Sequence, residues 1–377
     1  MSIDLIAFRR QVHRRPELGM NTHETARLIR SHSQALGAAT TVCADVGVIA
    51  EIEGAHPGPT IAVRVDIDAL PVEDLSDVEF RSEIPGRCHA CGHDVHAAIG
   101  LGVVQELMAR RNELRGRVRV LFQPGEEVFE GAKLMIECGA LDDVEAIFGV
   151  HNLPGVPVGR AIFSRERAAM AASDRFRIVV EGAGGHAASP HKTRDPIVAG
   201  AAIVTALQTI CSRAIDPGDA AAVSVCRING GTAFNIIGDS IELEGTTRHL
   251  KAQVGETVSM LLQSIAENVA KAHRCEATVE YTSMVPALVT SPAETELAMD
   301  VAAEILGKDQ LVLTNPSMGS EDFALYAAQV PASYFWIGSG GEHPLHSPRY
   351  SIDETCIPLG VKLMSEIALR RLNVGRD

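Results

Sequence analysis

One nine-residue stretch concentrates side chains that bind transition metals. Cys88-His89-Ala90-Cys91-Gly92-His93-Asp94-Val95-His96 holds two thiols and three imidazoles, and Glu126-Glu127, His151 and His346 follow downstream. Thiolate, imidazole and carboxylate together form a ligand set that zinc, manganese, nickel or cobalt accepts. A carboxylate left over beside such a site can serve as general base for metal-assisted hydrolysis. We therefore predict a metal-dependent hydrolase of amide bonds.

Cys91 and His93 are the strongest candidate ligands in this stretch. They precede a predicted helix, and both a helix N-terminus and a bound cation favour the thiolate form of cysteine. A zinc ribbon would need a second Cys-x-x-Cys pair, which the sequence lacks, and a thioredoxin-like site would leave the Glu pair without a role. We expect His89 and His96 to pack or to orient ligands rather than to bind metal.

The remaining candidate ligands follow predicted strands. Glu126 and Glu127 come after an apolar strand, so one carboxylate can bind metal while its neighbour activates water. His151 ends the next strand, and His346 lies in a proline-containing loop. These four residues and the Cys/His stretch are far apart in sequence, so the fold must bring them together.

The roles of several further polar residues remain open from the residues alone. Asp66 and Asp68 end a strand, where they either bind metal or orient a ligand. Asn235 and Arg248 lie at strand edges and either bind a substrate carboxylate or form surface contacts, since Arg offers a planar fork to a carboxylate. His186 lies in a glycine-bounded loop that also fits a simple hairpin.

The order of predicted elements indicates two domains. Strands alternate with helices up to residue 172 and again after residue 286, which is typical of an α/β layer with a mostly parallel sheet. The intervening residues 173–285 show the order β-α-β-β-α-β, the split βαβ pattern of ferredoxin-like domains. We therefore predict a discontinuous domain of residues 1–172 and 286–377 with an inserted domain. Open α/β sheets place their sites at the carboxyl ends of strands, so Cys91 and His346 can meet there.

The composition of the chain bears on which partners the protein binds and on the compartment in which it is found. The 377 residues are 46% hydrophobic with a formal net charge of −14, which suits a large core and argues against a nucleic acid partner. No secretory signal or apolar run long enough to span a bilayer is evident, so no membrane partner is expected. Eight scattered cysteines fit a reducing cytoplasm better than a disulfide framework, and all except Cys91 are expected to be small buried apolar residues.

These segments together resemble the metallo-aminoacylase and carboxypeptidase superfamily, in particular its amidohydrolase branch with hippurate hydrolase, indole-acetyl-amino-acid hydrolases and N-acetyl-diaminopimelate deacetylase. The resemblance runs nearly end to end. It is carried by His13–Gly19 with Glu24 and Thr25, Arg64–Pro71, His89–His96, Gln123–Glu127, Gly184–Pro196, Gly230–Asn235, Gly245–Arg248, Gly319–Phe323 and Leu345–Pro348. Gly125 stands where alanine is usual in these relatives, and Cys88 where methionine is usual.

The resemblance implies a zinc-peptidase-like mixed sheet flanked by helices, two divalent metal ions (Zn, Mn, Ni or Co) and a lid domain that mediates homodimerisation. It assigns the metal ligands as a group: Cys91, His93, Glu127, His151 and His346. Glu126 corresponds to the general acid/base and Asp68 to a supporting carboxylate, while Asp66 occupies a position where relatives have a histidine ligand. His186 corresponds to a lid histidine that stabilises the oxyanion in a partner subunit's site.

The predicted reaction is cleavage of an N-acyl or N-aroyl amino acid whose free carboxylate is held by Asn235 and Arg248. An alternative on the same scaffold is hydrolytic deamination of an arylamine, which releases ammonia. A binding module without catalysis is disfavoured because the proposed ligands and base are all present.

Overall fold

Residues 2–373 are described by a computed structural model, and the chain divides into two compact units. The larger unit comprises the described residues of Met1–Ala169, Leu288–Pro316 and Glu321–Asp377. The smaller unit comprises Met170–Ala287 and Ser317–Ser320. The catalytic and lid roles expected for the two domains stay predictions.

An eight-stranded mixed sheet forms the centre of the larger unit. The strands of this unit and the short β7 at its boundary are β1 Ala39–Cys43, β2 Gly47–Glu53, β3 His56–Asp66, β4 Arg115–Gln123, β5 Val144–Leu153, β6 Ala161–Ser164, β7 Ala168–Met170, β14 Leu288–Val289, β15 Leu311–Thr314 and β16 Ala332–Gly338. The order in the large sheet is β1-β2-β4-β3-β5-β16-β6-β15. β3 runs parallel to both β4 and β5, and β16 runs parallel to β5.

Helices cover this sheet and bury its apolar side chains. They are α1 Leu5–Arg14, α2 His23–Ala35, α3 His93–Ala109, α4 Gly131–Glu137, α7 Pro292–Leu306, α8 Ala324–Ala327 and α9 Cys356–Asn373. α3 is apolar on nearly all sides, with thirteen buried residues, because it packs between the sheet, α1 and α9. The buried N-terminus of α3 carries the Cys/His stretch, so the core fixes the position of those side chains.

The first turn of α2 is capped by a carboxylate from outside the helix, because the side chain of the N-cap residue Thr22 makes no capping hydrogen bond. The Thr22 hydroxyl donates to Val46 O instead, at 2.7 Å. The Glu17 carboxylate accepts the backbone N–H groups of Glu24 and Thr25 at 3.0 and 2.8 Å and thereby satisfies the first turn. A carboxylate at a helix N-terminus also complements the helix dipole.

The smaller unit has the predicted ferredoxin-like topology. Its elements are β8 Ala172–Glu181, β9 Gly185–His186, α5 Pro196–Thr209, β10 Ala221–Gly230, β11 Ile236–Ile237, β12 Ser240–His249, α6 Ala252–Ala272 and β13 Glu276–Val285. The main sheet has the order β10-β12-β8-β13, with every neighbouring pair antiparallel. α5 and α6 pack together and against this sheet, which buries a separate apolar core. The predicted fold class is confirmed for both units.

The cysteine expectation is wrong at three positions. Cys43, at the end of β1, forms a disulfide with Cys138, which follows α4, and their Cα atoms lie 5.9 Å apart. The sequence carries no spacing signal for this pair because its members are 95 residues apart. Cys226 also departs from expectation because it is exposed, while Cys88, Cys91, Cys275 and Cys356 are buried and free.

The helical segment Pro196–Ala214 is more apolar than expected. Its mean hydropathy is 1.5, which by length and composition is enough to cross a membrane, and 28% of that window is buried. The expectation that no run approaches this length is therefore wrong. One such helix is weak support for a membrane span, because helices of soluble domains also meet this criterion. The exposed apolar surface still needs a physical explanation.

Candidate metal centre

Three neighbouring strands bring the candidate residues to one edge of the sheet. β3 ends at Asp66, β4 ends three residues before Glu126, and β5 carries His151 near its carboxyl end. Because β3 is parallel to β4 and to β5, these carboxyl ends lie side by side. This is the edge at which open α/β sheets place their sites.

A glycine at the N-terminus of α3 lets this helix approach β5. Gly92 has a φ of 84°, and a Cβ there would lie 2.3 Å from both Asn152 Nδ2 and Tyr350 Oη. Asn152 Nδ2 donates to Cys91 O at 2.8 Å. The backbone bearing Cys91 and His93 is therefore held directly against the strand that carries His151.

His346 reaches the same edge from a loop with unusual backbone geometry. Its φ is 64°, a left-handed conformation that non-glycine residues rarely adopt outside functional or strained positions. Its N–H donates to Ala90 O at 2.8 Å, which fixes the loop to the Cys/His stretch. The ring Nε2 then lies 3.4 Å from Glu127 Oε1.

The structure brings all five predicted ligands into overlapping groups. Within each group the ligand atoms lie within 4.8 Å of one another. Three of the groups are Cys91 with His93 and His151, Cys91 with Glu127 and His346, and His93 with Glu126 and Glu127, and another joins Asp66 with His93 and His96. Cys91 belongs to two of them, so its single sulfur is placed to serve two ions.

Two ligand atoms in these groups are buried without a hydrogen-bond partner within the described chain, namely His93 Nε2 and Glu127 Oε1. Leaving such atoms unpaired costs about 1–3 kcal/mol each. The two atoms face each other at 4.0 Å. A cation coordinated by both satisfies them, so the residues present fit a divalent metal.

The electrostatics of the group also favour a cation. Although burial lowers it, Asp66, Cys91 and Asp68 raise the pKa of His93 well above its ordinary value. Contacts with Cys91 and Glu127 raise the pKa of His346 to about 10. Surroundings that stabilise imidazolium to this extent also stabilise a metal cation in its place.

Asp68 lies behind the candidate ligands rather than among them. Its Oδ1 lies 3.2 Å from His93 Nδ1 and accepts the N–H of Glu126 at 3.1 Å, while Oδ2 accepts the N–H of Glu127 at 3.3 Å. A carboxylate bonded to the far nitrogen of a ligating histidine orients that ring. This geometry supports the orienting role that the resemblance implied.

Asp66 lies 3.8 Å from His93 Nε2 and makes its shortest contacts with His96 and Arg64. Its Oδ1 lies 2.5 Å from His96 Nδ1, and its Oδ2 accepts from Arg64 at 2.7 Å. His96 Nε2 in turn accepts the N–H of Asn152 at 2.9 Å. Asp66 and His96 therefore connect β3 to the strand that carries His151, and the positioning role expected for His96 stays a prediction that this geometry supports.

Glu126 is buried beside the ligands, with 7% of its surface exposed. Burial, with Glu321 and Glu127 nearby, raises the pKa of its carboxyl well above the ordinary value. A carboxyl group with a raised pKa can take up a proton and return it near neutral pH. This is the property required of a general acid/base.

Sequence reasoning missed a buried ionic network around Arg64. Its guanidinium donates to Gln123, Asp66 and Asp322 at 2.8, 2.7 and 2.8 Å and lies 3.0 Å from Glu321. Gln123 Nε2 also donates to Asp322. The network ties the end of β3 to the residue that ends β4, just before the Glu pair. An arginine inside the apolar run Ile61–Val65 was the signal that could have revealed it.

His186, Asn235 and Arg248 lie in the smaller unit. β9 pairs with β11, which places His186 opposite Ile236, and Ala187 N–H donates to Asn235 O at 3.1 Å. The Arg248 guanidinium donates to Thr247 O at 2.9 Å. His186 and Asn235 are therefore neighbours on the structure, and the predicted substrate contacts of all three residues stay predictions.

Comparison with known proteins gives consistent matches along the chain. The family model of "Peptidase family M20/M25/M40" matches residues 62–370. The chain is 38% identical to N-acetylcysteine deacetylase of Bacillus subtilis, over 97% of this chain and 96% of that protein. It is 40% identical to IAA-amino acid hydrolase ILR1-like 2 of Arabidopsis thaliana, over 98% of this chain and 85% of that protein.

A solved structure of similar fold bears on the metal centre. The Bacillus subtilis YXEP protein, described as a dinuclear metal binding peptidase from the M20 family, has a TM-score of 0.87 and 35% identity over 98% of both chains. The family resemblance seen in the sequence, which implied two divalent ions, agrees with that description. This chain belongs to peptidase family M20/M25/M40 and is a metal-dependent amidohydrolase.

Proposed function

We propose that this protein hydrolyses N-acyl amino acids at a dinuclear centre, with Glu126 as general acid/base. Cys91, His93, Glu127, His151 and His346 would hold the two ions. The observation that carries this proposal is the buried thiol of Cys91, which two ligand groups share beside the carboxyl of Glu126. When bound, divalent ions polarise a carbonyl and make water a stronger acid.

The proton transfers belong to Glu126. Its carboxylate accepts a proton from the attacking water while the water oxygen bonds to the carbonyl carbon. The carboxyl then returns this proton to the amine nitrogen as the C–N bond breaks. Asp68 keeps both glutamates in place, because it accepts their backbone N–H groups.

The proposed substrate has a free carboxylate. N-acetylcysteine and indole-acetyl amino acids, the substrates in the names of two relatives, both carry one. Arg248 and Asn235 are the candidate side chains for binding it, and His186 for stabilising the oxyanion. We expect Arg248→Lys to raise KM more than it lowers kcat, since a point charge replaces a planar fork.

A substrate panel tests the proposed activity directly. Metal-reconstituted protein is assayed with N-acetyl-L-cysteine, other N-acetyl amino acids, hippurate, indole-acetyl-alanine and an aminobenzoate. Amino acid and ammonia are quantified separately, with and without a chelator. Chelator-sensitive release of an amino acid supports the proposal. Ammonia in place of an amino acid would identify a deaminase, and release unaffected by chelators would contradict the metal mechanism.

Cys91→Ser should lower metal content, because a hydroxyl is a much poorer ligand than a thiolate for zinc or nickel. Metal per chain, measured by mass spectrometry after dialysis, is expected to fall by one to two equivalents, with activity falling in parallel. Cys275→Ser removes a buried free thiol of the smaller unit and is the matched control. Unchanged metal in Cys91→Ser would remove Cys91 from the ligand set.

Zinc is the ion we propose for the dinuclear centre, because thiolate and imidazole ligands favour it.

We also propose that the smaller unit mediates a homodimer. Its exposed apolar side chains include Phe234 at 101%, Ile228 at 61% and Val198 at 51% of full exposure. Ile197 lies beside Gly231, so the start of α5 and the end of β10 form one surface. Burying this surface against a second copy gives the apolar helix Pro196–Ala214 a role.

Charge placed on that surface is expected to break the dimer. Ile228→Arg and Val198→Asp should each shift the mass from dimer to monomer in light scattering, because each places a charge in an apolar interface. Leu313→Asp, at a 45% exposed apolar residue of the larger unit, is the control. A wild-type chain that is monomeric at micromolar concentration would contradict the proposal.

The cytoplasmic location expected from the cysteine pattern stays a prediction. The Cys43–Cys138 disulfide is the observation against it, because disulfides are rare in reducing compartments. Fractionation of expressing cells decides whether the protein lies in the cytoplasm or outside it.

A further inference from the structure

A second group of metal-binding side chains lies elsewhere in the larger unit. It consists of His13 from α1, Asp74 from the segment between β3 and α3, and Cys88 from the end of that segment. All three residues are buried, and their ligand atoms lie within 4.8 Å of one another. None of the three has a part in the dinuclear centre, so the group needs its own explanation.

The separations within this group suit zinc. His13 Nε2 lies 3.3 Å from Asp74 Oδ2. Two ligands at about 2.0–2.1 Å from a tetrahedral zinc ion are separated by about 3.4 Å. Histidine nitrogen, carboxylate oxygen and thiolate sulfur are all zinc ligands.

The other nitrogen of His13 has the support that a ligating histidine usually has. Its Nδ1 lies 2.8 Å from Asp94 Oδ2, and the same oxygen lies 2.6 Å from Arg9 Nε. A carboxylate bonded to Nδ1 fixes the ring so that Nε2 faces the metal. Asp94 is also placed to balance the charge of Arg9, which leaves Asp74 and the Cys88 thiolate to balance a dication.

His89 provides an independent observation that points to a ligand. It is 1% exposed, and neither of its ring nitrogens has a hydrogen-bond partner within the described residues. Its ring lies beside that of His13, with centroids 6.1 Å apart. A buried imidazole without partners is costly, since burying an unpaired polar group costs about 1–3 kcal/mol.

The segment that this group joins has little regular structure of its own. Residues 67–92 connect β3 to α3, and an isolated bridge between Leu70 and Cys88 closes part of them. Long irregular connections in compact domains are typically functional or held by specific contacts. A metal bound by His13, Asp74 and Cys88 would fasten the middle and the end of this segment to α1.

We propose that His13, Asp74 and Cys88 bind a structural zinc ion beside the unpaired imidazole of His89. This ion is additional to the dinuclear pair, and the inference does not depend on the proposed function. The competing explanation is a closed hydrogen-bond network without metal, in which Asp74 also accepts from Ser76 and Ser82. That network leaves the imidazole of His89 unexplained.

Zinc counting tests the proposal on the full chain. Protein expressed with zinc is dialysed against metal-free buffer and its zinc content is measured by mass spectrometry. Cys88→Met and Asp74→Asn should each hold one equivalent less than wild type. Cys356→Ala, which removes a buried free thiol of the core, should hold as much as wild type. Wild-type zinc content in both Cys88→Met and Asp74→Asn would overturn the proposal.

A spectroscopic experiment covers the case in which those variants fold poorly. Cobalt is added to zinc-free Cys91→Ser protein, in which the dinuclear centre has lost its thiolate. The proposal predicts a near-ultraviolet thiolate-to-cobalt band from Cys88, and its absence from folded Cys91→Ser protein would overturn the proposal. Failure of the dinuclear assignment gives a different result, namely unchanged metal in Cys91→Ser with one equivalent still lost in Cys88→Met.

Discussion

Replacing Glu126 with Gln is expected to lower kcat by about 10²–10⁴-fold while metal content stays at the wild-type level. General acid–base catalysis contributes about this factor, and an amide cannot accept and return the proton. The change keeps the size of a side chain that is 7% exposed, so packing should be preserved. Steady-state kinetics on the best substrate of the panel measures the loss, and metal analysis of the same sample shows that the centre is intact.

The matched control for this variant is Glu130→Gln. Glu130 lies in the same turn after β4 but is exposed, so its loss should leave kcat within about twofold. Near-normal activity in Glu126→Gln would show that another group moves the proton. A loss of metal together with activity would instead make Glu126 a ligand, which its position in one group with His93 and Glu127 allows geometrically.

The sequence predicted the fold class and the gathering of ligands well, for a physical reason. Strands in a parallel sheet are long apolar runs, and their carboxyl ends must meet at one edge. Residues placed just after or at the end of such runs, such as Glu127 and His151, can therefore be assigned to one site from the sequence alone. A different signal found the ferredoxin-like topology, namely alternating apolar residues along strands that are separated by two helices.

The short strands β1, β6 and β15 were missed because they carry too few residues for a pattern. β1 is five residues long with one buried residue, and β6 and β15 have four residues each. Contacts between distant buried polar groups were missed for a different reason. No periodicity links Arg64 to Asp322, Cys43 to Cys138 or His13 to Cys88, since only the folded chain puts these groups together.

Resemblance supplied what the residues alone left open. Asp68 was equally consistent with a ligand and with an orienting residue until relatives suggested the second role. The structure adds the reason, because Asp68 holds the backbone of both glutamates and the ring of His93. The resemblance marked Cys88 only as a departure from the usual methionine, and by type alone it is an ordinary buried thiol.

Arg64→Met is expected to destabilise the protein by about 3–5 kcal/mol, because it removes the cation from a buried group of three carboxylates. Arg64 is 1% exposed and contacts Asp66, Glu321 and Asp322, which are all buried as well. Methionine fills similar space without charge, so the lost stability comes from the unpaired carboxylates more than from a cavity. Urea unfolding of the wild type and of Arg64→Met at pH 7.5 measures this difference in the free energy of unfolding. Arg117→Met, on the exposed face of β4, should change stability by less than about 1 kcal/mol.

The deficit caused by Arg64→Met should shrink as the pH is lowered from about 10 to about 7. Burial raises the pKa of Asp322 to about 8 although Arg64 lowers it, so loss of Arg64 must raise the pKa of this carboxyl further. A carboxyl whose pKa is higher in the folded than in the unfolded state binds protons on folding. It therefore costs stability as pH rises and recovers stability as pH falls. A deficit that stays constant over this range would show that lost packing, rather than buried charge, is what the variant measures.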